Sequence, residues 1–439
     1  MLWITTISAK AREYAQQLPE ESDILYKRNF IQMPKEHLSA LSEHDHDYEA
    51  AGNEVEEIAK RIKEVFNIGF DVVVGGDYAY SNGADGVEIT DMTGLDGEKM
   101  EYKKERMKKN RFEALVNATS KRIISIRTRK GARSNYNMLF ANVNPLSIQV
   151  DIDAAEGSEA SIFQFCCSGN GGSVSALAIS NDITVGENAK LDIVQMHNEN
   201  QDTAVVNIHT GTVRDNGFLR QHFFYTGGAY VKAIGSIELT GNSAESETNE
   251  TVLGSKEQKI DVNTEIINGS VGSLASLESK AALMDYSRCI LKGFARIKYG
   301  AVGSRSIVHE RGMLLDKTAK IDSLPGMSIA EDDVKATHSS SAAPIDDETL
   351  FYLGARGIDR KSADRLIVDG FLGNSIKKIR NPSILRMVAA IINGKIDTRD
   401  YGKLPAEALE SMWLIDMDQK NEDTGERLLQ EHLKYRKQR

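Results

Sequence analysis

The sequence predicts a mainly β protein with helical regions at both ends, and three observations predict it. From about Gly69 to Val334, short runs rich in Val, Ile, Leu and Phe alternate with Gly, Asn, Asp and Ser; Ile123-Ile-Ser-Ile-Arg-Thr, Leu146-Ser-Ile-Gln-Val-Asp-Ile and Ala204-Val-Val-Asn-Ile-His are examples. Apolar runs bounded by turn residues read as strands. Only Pro145 and Pro325 fall in this zone, so little interrupts a hydrogen-bonded ladder. A weak repeat is also present. Gly186-Glu-Asn-Ala-Lys-Leu-Asp-Ile and Asp316-Lys-Thr-Ala-Lys-Ile-Asp-Ser share a turn, an Ala, a Lys, an aliphatic residue and an Asp. A stacked solenoid rung uses that order: the turn changes direction, Ala fits the corner, and the aliphatic side chain stacks on the next rung. A β-sandwich also fits the texture. A doubly wound α/β sheet does not, because no long helices separate the strands.

The chain divides into residues 1–68, 69–335 and 336–439. In the first part, Val55, Ile58, Ala59, Ile62, Val65 and Phe66 fall at helical spacing between Tyr48 and Phe66. The charged run from Glu98 to Arg111 reads as a helix or an excursion from the strand zone. From about Ala343 the chain turns helical. Asp346 caps a first helix that Gly357 stops. Asp359 caps a second, with Ala363, Leu366, Ile367 and Phe371 on one face, and Pro382 opens a third.

The 439 residues carry 54 basic and 64 acidic side chains, a net charge of −10. A phosphate backbone requires a basic face, so nucleic acid is not an expected partner. The cysteines are Cys166, Cys167 and Cys289, with no C-x-x-C spacing. Adjacent residues on a strand point to opposite faces, so the first two are poorly placed to bridge each other. The three read as reduced, small core residues of an intracellular protein. The N-terminus lacks a basic stretch before its short apolar run, and no apolar run approaches the ~20 residues of a membrane span. The expectation is a cytoplasmic protein that does not enter the membrane.

No nucleophile elbow, Walker A loop or H-E-x-x-H motif occurs. Gly169, Gly171 and Gly172 do not complete a dinucleotide fingerprint. Among the histidines, His44 and His46 form an H-x-H pair in a polar segment, and His197, His209 and His222 lie on strands at no ligand spacing. His309 beside Glu310, and His338 downstream of Glu331, Asp332 and Asp333, combine imidazole with carboxylate, a pairing that can hold iron.

The segment from Asp333 to Ile358, with Gly370 and Phe371 beyond it, resembles the junction of SufB and SufD proteins, where the last β-rung gives way to C-terminal helices. The matching positions are Val334, His338, Asp347, Leu350, Phe351, Tyr352, Leu353, Arg356, Gly357, Ile358, Gly370 and Phe371. Ser340 and Ser341 replace the usual Ala-Thr. Weaker similarity extends upstream, through Gly86-Val-Glu-Ile-Thr-Asp-Met, Asn110-Arg-Phe-Glu-Ala-Leu and Tyr286-Ser-Arg-Cys, over about residues 70–395.

This resemblance implies a right-handed parallel β-helix flanked by N- and C-terminal helical regions. It implies a non-enzymatic scaffold of iron–sulfur cluster assembly that pairs along its β-helix with a SufB-type paralogue or a second copy of itself. It further implies that the C-terminal helices dock a SufC-type ABC ATPase, with Leu350, Phe351, Tyr352, Arg356, Leu366 and Phe371 as candidate contacts. A transient iron–sulfur cluster at the subunit interface is the implied cargo; nothing in the sequence speaks to a flavin. Glu310 stands where SufB carries a cysteine and resembles the E-N-R pattern of SufD, which places the chain nearer SufD; Ala336 stands where SufD often has a cysteine, so both typical thiols are missing. A carboxylate cannot accept persulfide, a task for thiolate. His338, with Glu310 second, is therefore the candidate cluster-related residue. The competing readings are a secreted-type β-helix protein acting on or binding carbohydrate, and a purely structural solenoid.

Overall fold

The computed structural model describes residues 31–41, 48–76, 78–91, 110–169 and 174–402. His44, His46, Gly171, Gly172 and nearly all of the charged run before Arg111 lie outside the described residues.

The strand zone coils into a β-solenoid of about eight turns. Each turn contributes one strand to each of two ten-stranded sheets. Pairing between turns is parallel and in register: Thr203–Val213 pairs with Ser175–Val185 on one side and Tyr230–Leu239 on the other. Parallel ladders rule out the sandwich alternative, whose sheets are antiparallel. Among the described residues, antiparallel strands occur only at the first end, where Tyr78–Ser81 closes one sheet and Val87–Asp91 the other.

The corners explain the weak repeat. Ala189 and Ala319 are both buried, as the repeat predicted, but at opposite corners: the strand after Ala189 joins the first sheet and the strand after Ala319 joins the second. The motif therefore recurs by half-turns, and no single period is conspicuous in the sequence. At one set of corners, backbones in the left-handed region stack directly. Asn188, Asn216, Ser243, Gly272 and Gly303 have φ between 52° and 72°. Each donates its N–H to the next turn, as in Asn216 to Asn242 O at 2.9 Å and Ser243 to Val271 O at 2.9 Å. Gly and Asn tolerate this conformation and supply most of the set.

Alternation along each strand separates two environments. Inward residues such as Ile162, Ile193, Leu219 and Leu277 form the axial core. Outward residues of the first sheet, among them Leu139, Phe163 and Phe165, pack under three helices: α2 (Tyr48–Phe66), α5 (Arg360–Ile376) and α6 (Pro382–Thr398). The other sheet is covered by α1 (Lys35–Ala40) and α3 (Arg111–Thr119), against Ala178, Val206 and Ile208. The adjacent cysteines divide as expected: Cys166 faces the axis and Cys167 the helices. None of these helices, nor any other among the described residues, is long and apolar enough to cross a membrane.

The last strand, Lys335–Pro344, runs into the region expected to be helical before α4 (Asp347–Ala355) begins at its Asp346 cap. Asp359 caps α5, and Asn381 with Pro382 opens α6, as the sequence predicted. The C-terminal helices are clamped to the solenoid corners. Buried Lys395 donates to Thr226 O at 2.5 Å and to Leu253 O and Gln258 Oε1. Arg399, in the left-handed conformation that ends α6, reaches Asp316 at 2.5 Å and Asp364 at 3.2 Å.

The corner ladder makes a specific prediction at Ser243, which is exposed and held at a φ of +54°. Ser243→Val brings a β-branched side chain into a region it avoids and lowers the unfolding free energy by about 1 kcal/mol, whereas Ser243→Asn leaves it unchanged. Urea titration of the two variants checks this.

Candidate functional site at the open end of the solenoid

The first end of the solenoid is closed by antiparallel strands; the other is open. Lys335–Pro344 pairs on one side only, with Arg305–Leu314, and nearly all of it is exposed. The second sheet ends in two four-residue strands, Lys320–Ser323 and Gly326–Ile329, separated by a break at Pro325. Short, interrupted strands blunt that edge. The ten-residue edge of Lys335–Pro344 carries only small and polar side chains beyond its lysine and has no such protection.

Register fixes what the opening presents. His338 pairs with Val308, a buried member of the axial core, so His338 continues an inward-facing column. Ser340 continues the next inward column above Glu310. The structure thus brings His338 and Glu310 to the same face of adjacent rungs, as diagonal neighbours at the mouth. His309, between Val308 and Glu310, faces the opposite way, and its Nδ1 lies 2.5 Å from Ser339 Oγ.

Glu310 is buried, although one rung from the end. Its Oε1 accepts from Gly293 N at 2.5 Å and its Oε2 from Ser323 Oγ. Ser340 donates to Ser323 Oγ at 2.7 Å, so Ser340, Ser323 and Glu310 tie the two sheets together at the mouth. Only glycine fits opposite the carboxylate: a Cβ on Gly293 would lie 2.8 Å from Glu310 Oε1. Burial pushes the Glu310 carboxyl up to about 7, with its hydrogen bonds holding it lower than burial alone would.

Behind the mouth, polar groups line the axis. Glu250 accepts from Thr264 at 2.5 Å and Ser279 at 2.6 Å, and burial raises its pKa. His209 stacks on Phe223 with ring centroids 4.2 Å apart, and burial lowers its pKa to about 3. Asn207 donates to Gln195 Oε1 at 2.7 Å and Tyr225 Oη at 3.0 Å, and Gln164 donates to Asn181 Oδ1 at 2.8 Å. Sequence reasoning missed this file. Its signal is an internal repeat at 31-residue spacing: Ile162-Phe-Gln-Phe-Cys166 and Ile193-Val-Gln-Met-His197 put a Gln at the same inward position of successive turns.

The candidate partner-binding residues lie beside the open end. No residue of α4 is buried, and Phe351 and Tyr352 are 78% and 56% exposed. Arg356 lies over the Tyr352 ring, 4.8 Å from its centroid. Leu350 is half-buried. Leu366 was expected to share a face with Ala363 and Phe371 but is 54% exposed; the buried stripe of α5 is Ala363, Val368, Leu372 and Ile376, with Phe371 partly buried against the helix-covered core. Elsewhere, a cavity of about 390 Å³ between the first sheet and the α5–α6 loop is lined by Arg133, Arg220, Lys378 and Arg380, but each pairs with Glu159, Asp192, Glu247 or Glu278, so it is not built for an anion.

The family model for the SUF system FeS cluster assembly SufBD core domain matches residues 141–371, more than half of the chain. The chain belongs to the SufBD family. Its relatives include the iron–sulfur cluster assembly protein SufD of Escherichia coli, 25% identical over 254 residues, which are 58% of this chain and 60% of that protein. SufD of Bacillus subtilis is 28% identical over 161 residues, 37% of each chain. An iron–sulfur cluster assembly SufBD family protein of Mycobacterium tuberculosis is 26% identical over 144 residues, 33% of this chain and 17% of the relative. The chain therefore spans less than two thirds of the length of these relatives. Within the family it is SufD-like, and the matched region contains Glu310, His338 and all of α4.

The raised pKa of Glu310 has a thermodynamic consequence. Between the ordinary carboxyl value of 4.5 and about 7, the folded protein holds a proton that the unfolded chain has lost. Stability therefore falls as pH rises through that window, by about 3 kcal/mol in total. Glu310→Gln removes this term, so the variant is more stable than the parent at pH 8 and shows a flatter stability profile from pH 4.5 to 7; chemical denaturation at a series of pH values measures it.

Proposed function

We propose that this SufD-like chain is a non-enzymatic scaffold subunit that works at the open end of its solenoid, in the cytoplasm. The observation that carries the reading is the exposed edge strand Lys335–Pro344, which continues the inward columns with His338 and Ser340 directly above Val308 and buried Glu310. An unprotected strand edge is a template for pairing with another chain. A SufB-type paralogue, or a second copy, adding a strand there would extend the solenoid and enclose His338 and Glu310 at the interface. Imidazole and carboxylate are competent iron ligands, and the cluster being assembled is cargo rather than a resident group. Cys289 faces inward on the rung below Lys320–Ser323 but is completely buried, and burial raises its pKa; in this reading the chain supplies iron ligands and its partner the thiolate.

The second element is α4. Phe351 and Tyr352 of α4 and Leu366 of α5 are exposed apolar side chains, and Lys395 and Arg399 tie the neighbouring α5 and α6 to the solenoid. Clustered exposed aromatic side chains mark interaction sites. The occupant this reading assigns is a SufC-type ABC ATPase.

Two outcomes are expected. Because Phe351 and Tyr352 are largely exposed, Phe351→Ala with Tyr352→Ala leaves the melting temperature unchanged and weakens binding of the SufC-type ATPase from the same organism at least about tenfold; calorimetry with purified partners reads both, and undiminished binding contradicts the docking surface. In anaerobic reconstitution of the scaffold complex with iron and sulfide, His338→Ala lowers the cluster yield severalfold without changing complex assembly. Retention of full yield favours a purely structural solenoid.

A further inference from the structure

Three buried groups on the solenoid axis lie away from the open end and are not used there. Cys166 and His197 are register partners on adjacent turns, both facing inward. Glu199 lies at the corner that follows His197. All three are completely buried. One ligand atom from each lies within 4.8 Å of the other two. His197 Nδ1 is 2.7 Å from Glu199 Oε1, and the ring stacks on Tyr225 of the next turn, with centroids 5.4 Å apart. His197 Nε2 and Glu199 Oε2 have no hydrogen-bond partner. Other buried polar atoms along the axis are also unpaired, but among the described residues this trio is where sulfur, nitrogen and oxygen donors of three side chains converge.

We propose that Cys166, His197 and Glu199 form a binding site for one divalent transition ion of the zinc class, inside the solenoid. The donor set is one sulfur, one nitrogen and one oxygen, which suits a borderline cation and disfavours magnesium or calcium, whose sites are built from oxygen. Charge balances: a thiolate, a neutral imidazole and a carboxylate sum to −2, so a dication leaves the buried site neutral. On binding, the Cys166 thiol releases its proton to solvent, the thiolate donates an electron pair to the metal, and no oxidation state changes. Metal–ligand bonds of about 2.0–2.3 Å place tetrahedral ligand atoms about 3.3–3.8 Å apart, so the side chains need only close inward by rotation. Three protein ligands leave the fourth position to a small exogenous ligand such as water. The site is independent of the scaffold reading, since it lies several turns from His338 and uses neither strand edge nor α4.

Cobalt(II) is the probe, because its thiolate complexes give a near-ultraviolet charge-transfer band and its tetrahedral complexes intense visible bands. The full-length chain is produced in minimal medium containing cobalt, so that metal is present while the core forms, and is purified without chelators. The expected result is close to one cobalt per chain with both sets of bands. Cys166→Ser, a one-atom change, abolishes the charge-transfer band and lowers bound cobalt at least about tenfold. Cys167→Ser, whose side chain faces the helices, retains both. A parent protein without the charge-transfer band, or bands that persist in Cys166→Ser, overturns the site. The parent measurement stands even if a core variant fails to fold.

Discussion

In-register stacking of parallel strands is the constraint on which the rest of this structure depends. Once each turn pairs residue for residue with the next, an inward side chain has inward neighbours above and below it for the length of the solenoid. The columns Leu277–Val308–His338 and Glu250–Ser279–Glu310–Ser340 follow from that rule. A slip of one residue would turn His338 outward and bring Ser339 inward. Side-chain packing and corner geometry oppose such a slip together. The left-handed corners at Asn188, Asn216 and Ser243 each hand an N–H to the next turn and fix where every strand begins.

The same rule creates the chemistry. Inward polar residues are held away from bulk solvent and find one another across the axis. Gln164 with Asn181, Gln195 with Asn207, and Glu250 with Thr264 and Ser279 do so. Pairing is incomplete at several of these residues, and His197 Nε2 and Glu199 Oε2 are among the unpaired atoms. Where the solenoid stops, at Glu310 and His338, the polar file meets solvent. Burial at the mouth raises the Glu310 carboxyl while an open edge lies one strand away, and both effects arise from the position of the last rung.

Much of this was legible in the sequence. Strand texture, the helical ends, the caps Asp346 and Asp359, and the opposite facing of Cys166 and Cys167 follow from local rules that need no tertiary context. The corner alanines were visible, but their half-turn spacing concealed the period, because Ala189 and Ala319 serve opposite corners. Leu366 was grouped on one face of α5 with Ala363 and Phe371 because apolar spacing alone does not say which of two stripes meets the sheet; Val368 and Leu372 do. Glu310 and His338 were found by resemblance, and His309 stood out equally on composition. Only register separates them, since Val308, His309 and Glu310 alternate inward and outward. The Cys166, His197 and Glu199 trio was illegible because its first two members are 31 residues apart, one turn of a solenoid whose length is set by corners the sequence encodes only weakly.

The central claim is that the edge strand Lys335–Pro344 is a pairing surface that encloses His338 and Glu310. Hydrogen–deuterium exchange over that strand tests it most directly, measured on the chain alone and after mixing with its SufB-type partner or at concentrations where the chain self-associates. The account predicts that backbone amides facing the open edge exchange rapidly in the isolated chain and become protected on association, together with the adjoining rung Arg305–Leu314. Association that leaves Lys335–Pro344 exchanging at its isolated rate, with protection elsewhere, would contradict it.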